Sequence, residues 1–207
     1  LKDASIFAIS WGTAVYEVVN ALRPMKNLNI DVVQMIGAVG SGDPLIDGPE
    51  LARMLADTLG GRYRYLHAPL IVENVEVQQA LLNEQRISET LQLARKADIA
   101  LVGIGSVEPS ISSLTRAGYI DEQELATIRQ SGAVGDICAR QFDIGGEVLE
   151  IELNHRVVGI DIESLKKIKC VIGVAGGMLK ALAILGALRG GIIDVLVTDE
   201  EAAQEVL

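Results

Sequence analysis

The sequence predicts an α/β fold of three layers, in which a central, mostly parallel sheet lies between helices. The clearest sign is the stretch Cys170–Ala203, which has the order strand, glycine turn, helix and strand of a parallel βαβ unit. Its first strand is the apolar run Cys170–Ala175, and Gly176 and Gly177 turn the chain into a helix over Met178–Arg189. This helix is apolar on almost every face, so we expect it to lie against the sheet and beneath a neighbour. A second sign is that the same alternation recurs from the start of the chain.

Composition excludes several classes of protein. The chain has 207 residues, of which 49% are hydrophobic and 22% are charged, and its net charge is −10. This length predicts one domain with a large core. The acidic balance argues against contact of this chain with nucleic acid or an anionic membrane surface, because phosphate contacts need clustered Lys and Arg. No apolar run approaches the roughly 20 residues of a membrane span, and the N-terminal residues lack the features of a signal peptide.

The ends and the cysteines indicate the setting. The chain begins at Leu1 and enters a strand almost at once, so we expect it to be a fragment of a longer protein. Cys138 and Cys170 are far apart and lack CxxC spacing, which indicates neither a metal site nor a disulfide framework. We expect both to be small buried residues of a cytoplasmic protein that needs no cofactor.

The first half of the chain alternates strands with helices. Strands are predicted at Ser5–Ser10, Ile30–Ile36, Arg62–Leu66 and Asp98–Val102. Helices are predicted at Val15–Leu22, where Pro24 ends the helix, at Pro49–Leu59, and at Val75–Ala97 with a break near Asn83.

Two turns in this half are candidates for binding an anion. Gly12 would allow a ligand to approach the backbone closely, and Thr13 lies at a helix start, although an isolated threonine there is more typical of a plain helix cap. The glycine loop 37–43 follows the second strand. Asp47, just before Pro49, is either a cap or a carboxylate that binds ligand hydroxyls.

The fourth strand is expected to end in a glycine loop, Gly103–Ser106, at the sheet edge where parallel sheets bind ligands. This loop is not a dinucleotide fingerprint, because Glu108 stands in place of the third glycine. A polar loop follows, in which Arg116 has hydroxyl neighbours at Ser112, Ser113 and Thr115. It is either plain surface or a clamp for a phosphate.

The segment Ala133–Leu153 has a different pattern. Alternating residues around Ile144–Gly146 predict a small antiparallel hairpin inserted into the parallel fold. Asp136 follows Gly135, so its carboxylate either accepts sugar hydroxyls or shapes a turn. The predicted helix Ile162–Ile168 then leads back to the last βαβ unit.

Lys180 is the one early polar residue of the last predicted long helix. A cation in the first turn opposes the helix dipole, which costs roughly 0.3–1 kcal/mol unless an anion is near. Together with Gly176, Gly177 and the free N–H groups of the helix start, Lys180 is either part of a phosphate or carboxylate site, or it extends to solvent from a buried helix.

Several segments occur in the order typical of one family. They are SWGTAV, the glycine loop after the second strand, YRYLHAP, ADIALVGIGS, GAVGDICARQFD and the final βαβ stretch. Together they resemble the sugar-binding effector domain of SorC-type bacterial transcriptional regulators, over essentially the whole chain. The resemblance implies a fold similar to that of glucosamine-6-phosphate deaminase and ribose-5-phosphate isomerase. It also implies a phosphorylated sugar or related polyol as effector, a helix-turn-helix domain upstream of this chain that binds operator DNA, and a homo-oligomer, dimer or tetramer.

The family pattern implies a pocket made of Gly12, Thr13, Gly37, Gly40, Gly105, Arg116, Asp136 and Lys180. To these the residues of the glycine turns add Asp47, Ser106, Gly176 and Gly177. We expect Arg116, Lys180 and the helix starts to hold phosphate, and Asp136 to accept sugar hydroxyls. The second-strand loop lacks the adjacent glycines and the basic residue of some relatives, which argues against a Schiff base there.

The alternative is a sugar-phosphate isomerase or deaminase with the same fold. Such enzymes need a general base beside the substrate carbon. His67 and His155 are the only histidines, and neither has an adjacent carboxylate in sequence, so structural or exposed roles are more typical of them. We therefore expect a sensor without catalytic residues.

Overall fold

The computed structural model describes residues 5–23, 29–40 and 43–207. Pro24, which we expected to end the first helix, and residues 41 and 42 of the glycine loop lie outside the described residues. The strands are β1 (Ile6–Ile9), β2 (Asp31–Gln34), β3 (Arg62–Arg64), β4 (Ile99–Ser106), β5 (Ala133–Ile137), β6 (Arg140–Asp143), β7 (Val171–Val174) and β8 (Val195–Val197). The helices are α1 (Thr13–Ala21), α2 (Gly48–Leu59), α3 (Val75–Asn83), α4 (Gln85–Ala94), α5 (Ser113–Arg116), α6 (Glu122–Gln130), α7 (Glu152–His155), α8 (Ile162–Leu165), α9 (Ala181–Arg189) and α10 (Glu200–Val206). Short 3-10 turns at Pro44–Ile46 and Met178–Lys180 precede α2 and α9.

Six strands form a parallel sheet in the order β3-β2-β1-β4-β7-β8. β5 and β6 form an antiparallel hairpin, which joins the sheet because the last residues of β4 pair antiparallel with β5. β4 therefore pairs with β1 and β7 along its first half and with β5 beyond Gly103. The predicted fold class, a mostly parallel sheet with a small antiparallel insertion, is confirmed.

Both faces of the parallel sheet are covered, which makes the three layers. Alternate strand residues point to opposite faces. On one face Phe7, Ile9 and Val32 pack with residues of α1 and α2. On the other face Ala8 and Val33 join a larger apolar cluster that includes residues of α4, α6 and α9. This burial on both sides explains why the strands are apolar runs rather than alternating sequences.

The predicted glycine loop at Gly103–Ser106 is wrong, because β4 continues through it. Gly105 pairs with Asp136 and Ser106 pairs with Gly135, so these residues gain backbone partners from β5. Gly105 does not form a turn. It lets the side chain of Asp136 approach the backbone of β4, because a Cβ at position 105 would lie 2.0 Å from Oδ1 of Asp136.

The predicted antiparallel pairing around Ile144–Gly146 is present, since Phe142 pairs with Val148 across that turn, but a different and unpredicted turn joins β5 to β6. β5 and β6 are joined at Cys138 and Ala139, which have φ of 54° and 62°. Asn and Gly are the usual residues of such a two-residue turn, so the sequence carried no signal for it. The glycines near Ile144–Gly146 form a second turn, in which Oδ1 of Asp143 accepts from the N–H of Gly145 at 2.8 Å. The segment then forms α7 rather than a strand to Leu153.

The predicted helices are present, and four described helices, α5, α6, α7 and α10, were not predicted. The predicted break near Asn83 is confirmed, and Glu84 caps α4 by accepting from the N–H of Ile87 at 2.9 Å. The helix α6 was not predicted, although its capping box of Asp121 and Glu124 is a recognisable start signal. Part of the predicted polar loop is the single-turn helix α5, which Ser112 caps.

The last long helix is buried on one side only. Ala183, Ile184 and Ala187 of α9 are buried, whereas Leu182 is 62% exposed in the described chain. The expectation that this helix lies against the sheet and beneath a neighbour is confirmed for one face, which packs on β4, β5 and α10, and is wrong for the face that carries Leu182. Cys170 is half-buried instead of buried, while Cys138 is buried as predicted. Among the described residues, no helix combines the length and apolar character needed to cross a membrane.

Candidate functional site

Two adjacent cavities lie where β1 and β4 meet the start of α1. The inner cavity, of about 60 Å³, is lined by the turn after β1, by β4 and by side chains from the hairpin, α5 and the turn before α9, namely Ser10, Trp11, Gly12, Thr13, Ala14, Ile46, Gly103, Ile104, Gly105, Ile111, Ser113, Arg116, Asp136, Cys138 and Lys180. The outer cavity, of about 330 Å³, is lined by Trp11, Thr13, Val39, Asp43, Ile46, Asp47, Ser113, Arg116 and Ala117. Five of the described residues line both cavities, so we call the two cavities together the cleft.

The cleft contains an uncapped helix start. Gly12 precedes α1 with φ of 122°, a conformation that residues with side chains rarely adopt, and its N–H donates to the carbonyl of Ile46 at 3.0 Å. Thr13 and Ala14 begin the helix and line the inner cavity, and no side chain caps them. Thr13 is thus the first helical residue, and its interpretation as a plain cap is wrong. Free N–H groups at a helix start favour an anion.

Asp136 is the buried carboxyl of the inner cavity. It lies on β5 opposite Gly105, and only 7% of the residue is exposed. Burial raises the pKa of Asp136 to about 6, against the charge of Lys180 and a hydrogen bond with the backbone of Ala139, which both lower it. The group therefore changes charge below neutral pH rather than in the usual acidic range.

Lys180 reaches the same cavity from the 3-10 turn before α9. Its Nζ donates to the carbonyl of Ile104 at 2.8 Å. Burial lowers the pKa of this ammonium, the charge of Asp136 raises it, and the charge of Arg116 lowers it. Two cations thus face one carboxyl whose ionisation is disfavoured, which gives the inner cavity a positive balance in a chain of net charge −10. Such a cavity suits an anion that also carries hydrogen-bonding groups.

A family model described as "Putative sugar-binding domain" matches residues 1–207. The chain belongs to this family of sugar-binding domains. The prediction of the effector domain of a SorC-type transcriptional regulator is confirmed by proteins that are similar to it along its whole length.

Three regulators illustrate this similarity. The sugar-binding domain is 31% identical over 207 residues to the deoxyribonucleoside regulator of Bacillus subtilis (strain 168), with 100% of this chain and 66% of the relative covered. It is 41% identical over 213 residues to the transcriptional regulator LsrR of Enterobacter sp. (strain 638), with coverages of 100% and 62%. The crystal structure of the full-length sorbitol operon regulator SorC from Klebsiella pneumoniae matches with a TM-score of 0.92 at 28% identity, over 99% of this chain and 67% of that one. The sugar-binding domain thus spans about two thirds of the curated relatives' length.

Asp47 lines the outer cavity of the sugar-binding domain, but its oxygens already have donors. Oδ1 accepts from the N–H groups of Gly48 at 2.7 Å and Val39 at 2.9 Å, and Oδ2 accepts from that of Gly40 at 3.0 Å. Of the two interpretations of Asp47, the structure supports the helix cap, which also fastens the glycine loop to α2. Gly40, with φ of 69°, does not line either cavity.

The glycine pair before α9 also lies outside both cavities. The N–H of Gly177 donates to Oδ2 of Asp199 at 2.7 Å. Oδ1 of the same carboxylate accepts from the N–H of Ala202 at 2.9 Å and so caps α10. A Cβ on Gly176 would lie 2.5 Å from Oδ2 of Asp199. A carboxylate of the chain itself therefore occupies the predicted anion position at Gly176 and Gly177.

Gly37 and Ser106 have structural surroundings. A Cβ on Gly37 would lie 2.1 Å from the carbonyl oxygen of Pro69, so the glycine permits close packing of two segments. Ser106 donates through Oγ to the carbonyl of Leu179 at 3.2 Å and accepts from the N–H of Glu108, which ties β4 to the turn that carries Lys180. The structure thus brings together Gly12, Thr13, Gly105, Arg116, Asp136 and Lys180, with Asp47 at the outer cavity. It leaves Gly37, Gly40, Ser106, Gly176 and Gly177 outside both cavities.

Sequence reasoning missed several residues of the cleft. Trp11, Ile46 and Ile111 supply apolar walls, and their only sequence signal is that Trp11 precedes Gly12. Cys138 enters through the unexpected hairpin turn, and burial raises the pKa of its thiol to about 12, so it remains neutral. The described residues contain no group of three His, Cys, Asp or Glu that could hold a metal ion.

Proposed function

We propose that the domain binds a phosphorylated sugar or polyol phosphate in the cleft and thereby controls DNA binding by another part of a transcriptional regulator. The observation that carries this proposal is the convergence of Arg116, Lys180 and the uncapped start of α1 beside Asp136. Cations and free N–H groups suit a phosphate, and a carboxyl suits sugar hydroxyls. The names of the relatives, which are transcriptional regulators, support the regulatory role.

The distribution of charge supports one orientation of the ligand. Asp43 and Asp47 line only the outer cavity, whereas Lys180 lines only the inner one and Arg116 lines both. A phosphate is repelled by the outer carboxylates, so we assign it to Arg116, Lys180 and the start of α1. Hydroxyls of the sugar then face Asp136 on one side and the outer cavity on the other.

We propose a sensor rather than an isomerase or deaminase. Asp136 is the sole carboxylate that lines the inner cavity in the described chain, and no histidine lines the inner or the outer cavity. His155 lies 3.3 Å from Oε2 of Glu150 with half of its side chain exposed, and His67 stacks edge-on with Tyr65. A single carboxyl without a partner acid is a poor basis for the paired proton transfers that those reactions need.

The partners follow from the sensing role. We propose that operator DNA is bound outside this chain, because a domain of net charge −10 has no basic stripe for phosphate contacts. We also propose that the regulator is a cytoplasmic homo-oligomer, a dimer or tetramer, because two-fold operators mirror two-fold proteins. A gel shift with this chain alone is expected to show no salt-sensitive binding to operator DNA.

Thermal stability in the presence of sugars tests the proposal. A ligand at 100 times its Kd stabilises a protein by about 2.7 kcal/mol, so phosphorylated sugars should raise the Tm while their unphosphorylated forms should not. The same mixtures are followed by NMR for turnover. Equal stabilisation by both forms would remove the phosphate from the proposal, and conversion of any sugar phosphate would favour the enzyme.

A further inference from the structure

A half-buried arginine, with 18% of its side chain exposed, lines two cavities that share no described lining residue with the cleft. Arg156 follows α7, and among the described residues it alone lines both of these cavities. Its Nε is buried and has no hydrogen-bond partner among the described residues. The nearby oxygen Oε1 of Glu152 lies 3.9 Å from Nε, which is too far for a hydrogen bond, and the side chain of Glu152 is 83% exposed. Buried polar groups nearly always have a partner, and the N–H at Nε is therefore available to donate to a bound acceptor.

The two cavities differ in charge. The first, of about 390 Å³, is lined by three carboxylates, those of Asp121, Glu124 and Glu152. The second, of about 400 Å³, is lined by Arg156, Glu73 and the apolar residues Pro69, Ile71, Val72 and Val77, with Tyr119 and Gly118 beside them. Arg156 thus faces three carboxylates in the first cavity and only that of Glu73 in the second, so the second, which we call the Arg156 cavity, repels an anion less.

We propose that the Arg156 cavity binds a small aliphatic carboxylate. The planar guanidinium matches a carboxylate with two parallel N–H···O bonds, and the ligand would supply the acceptor that Nε lacks. The alkyl part would lie against Ile71, Val72 and Val77. A neutral alcohol would leave the guanidinium with only the distant, 83% exposed Glu152 as ionic partner, and inorganic phosphate would leave the apolar walls uncovered. No described residue lines both this cavity and the cleft, so the proposed carboxylate site and the proposed sugar site are built from different residues.

Titration with hexanoate tests the site, followed by the NMR methyl signals of Ile71, Val72 and Val77. Saturable shifts are expected with hexanoate, and binding of hexan-1-ol or inorganic phosphate is expected to be at least about tenfold weaker. Arg156→Gln should lower the affinity for hexanoate by about tenfold or more. The matched control is Arg129→Gln, which removes an arginine that lines neither cavity and should leave the affinity unchanged.

A second variant keeps the test independent of the folding of Arg156→Gln. Val77 is 42% exposed, so Val77→Glu should fold, and its carboxylate should compete for Arg156 and weaken hexanoate by a similar factor. Absence of saturable shifts with hexanoate would overturn the proposal and leave water as the partner of Nε. Equal affinity for hexan-1-ol, or unchanged hexanoate affinity in either Arg156→Gln or Val77→Glu, would also overturn it. None of these outcomes bears on sugar binding in the cleft.

Discussion

Two glycine turns of this domain look alike in sequence and differ in structure. Gly12 before α1 and Gly177 before the turn to α9 have φ of 122° and 91°, and neither helix start has a side-chain cap. At Gly12 the helix start lines a cavity with cations. At Gly177 the carboxylate of Asp199, 22 residues further along the chain, already accepts the N–H. A glycine turn is therefore an open anion site only where the rest of the chain leaves its N–H groups free.

The largest expected effect concerns Asp136, whose carboxyl lines the same cavity as the Gly12 turn. Burial raises the pKa of Asp136 to about 6 from 3.8, so the folded state binds this proton more tightly than the unfolded state. Stability from Asp136 is therefore present below about pH 4 and is lost as the pH rises through about 6, by about 3 kcal/mol. Urea unfolding of the wild type and Asp136→Asn from pH 3 to 7 measures this change in the free energy of unfolding. The free energy of the wild type should fall by this amount relative to the variant, and a constant difference would contradict the burial.

Ligand binding by the same variant gives a second readout. If Asp136 accepts sugar hydroxyls, Asp136→Asn should weaken the best sugar phosphate by about 1.5–3 kcal/mol, because a charged acceptor is replaced by an amide. Calorimetric titration at pH 7 checks this. An unchanged affinity would assign Asp136 to the hairpin alone.

Arg116, a cation that lines the same cavity as the Gly12 turn, is expected to have a similar or smaller effect on ligand affinity. Arg116→Gln should weaken a sugar phosphate by about 1.5–3 kcal/mol, and it should leave the weak binding of the unphosphorylated sugar unchanged. The matched control is Arg62→Gln at the far edge of the sheet, where Arg62 pairs with Asp31 and is 72% exposed. Equal loss of affinity for both forms of the sugar would contradict the assignment of the phosphate to Arg116.

A pair of glycine substitutions compares the two turns directly. Gly12→Ala and Gly177→Ala each force a side chain into a positive φ, with no heavy atom within 4 Å of either new Cβ. Each should cost roughly 1–3 kcal/mol of stability. Only Gly12→Ala is expected to lower the affinity for a sugar phosphate, as measured by calorimetry at a temperature where both variants are folded. Parallel losses of affinity would mean that both turns hold the ligand.

The smallest expected effect is that of Asp199→Ala, which tests the Gly177 turn. Asp199→Ala removes the cap of α10 and the acceptor of the Gly177 N–H, so it should cost about 0.5–2 kcal/mol in the free energy of unfolding. The affinity for sugar phosphate should not change, because Asp199 does not line the cleft. A gain in affinity would show that this carboxylate competes with the ligand for the second turn.

The site was predictable to the extent that its residues stand in local turns. Glycine turns, and cations in unusual positions such as a first helical turn, can be recognised in the sequence. The residues that these signals predict and that the structure brings to one cavity are Gly12, Thr13, Arg116, Asp136 and Lys180. The glycines at 37, 40, 176 and 177 have the same local signal. They lie elsewhere because Pro69, Asp47 and Asp199 occupy the space or the N–H groups beside them.

The sequence by itself determined the alternation of strands and helices, and hence the mostly parallel sheet, because apolar runs and helical periodicity are properties of neighbouring residues. Only the tertiary structure decided that β4 continues past Gly103, since its last residues need β5 as a partner. It likewise decided that the hairpin turns at Cys138 and Ala139, and that Asp136 loses its solvent and acquires a raised pKa beside Lys180. The physical reason is common to these cases: pairing, burial and charge depend on groups that are distant along the chain and that only folding brings together.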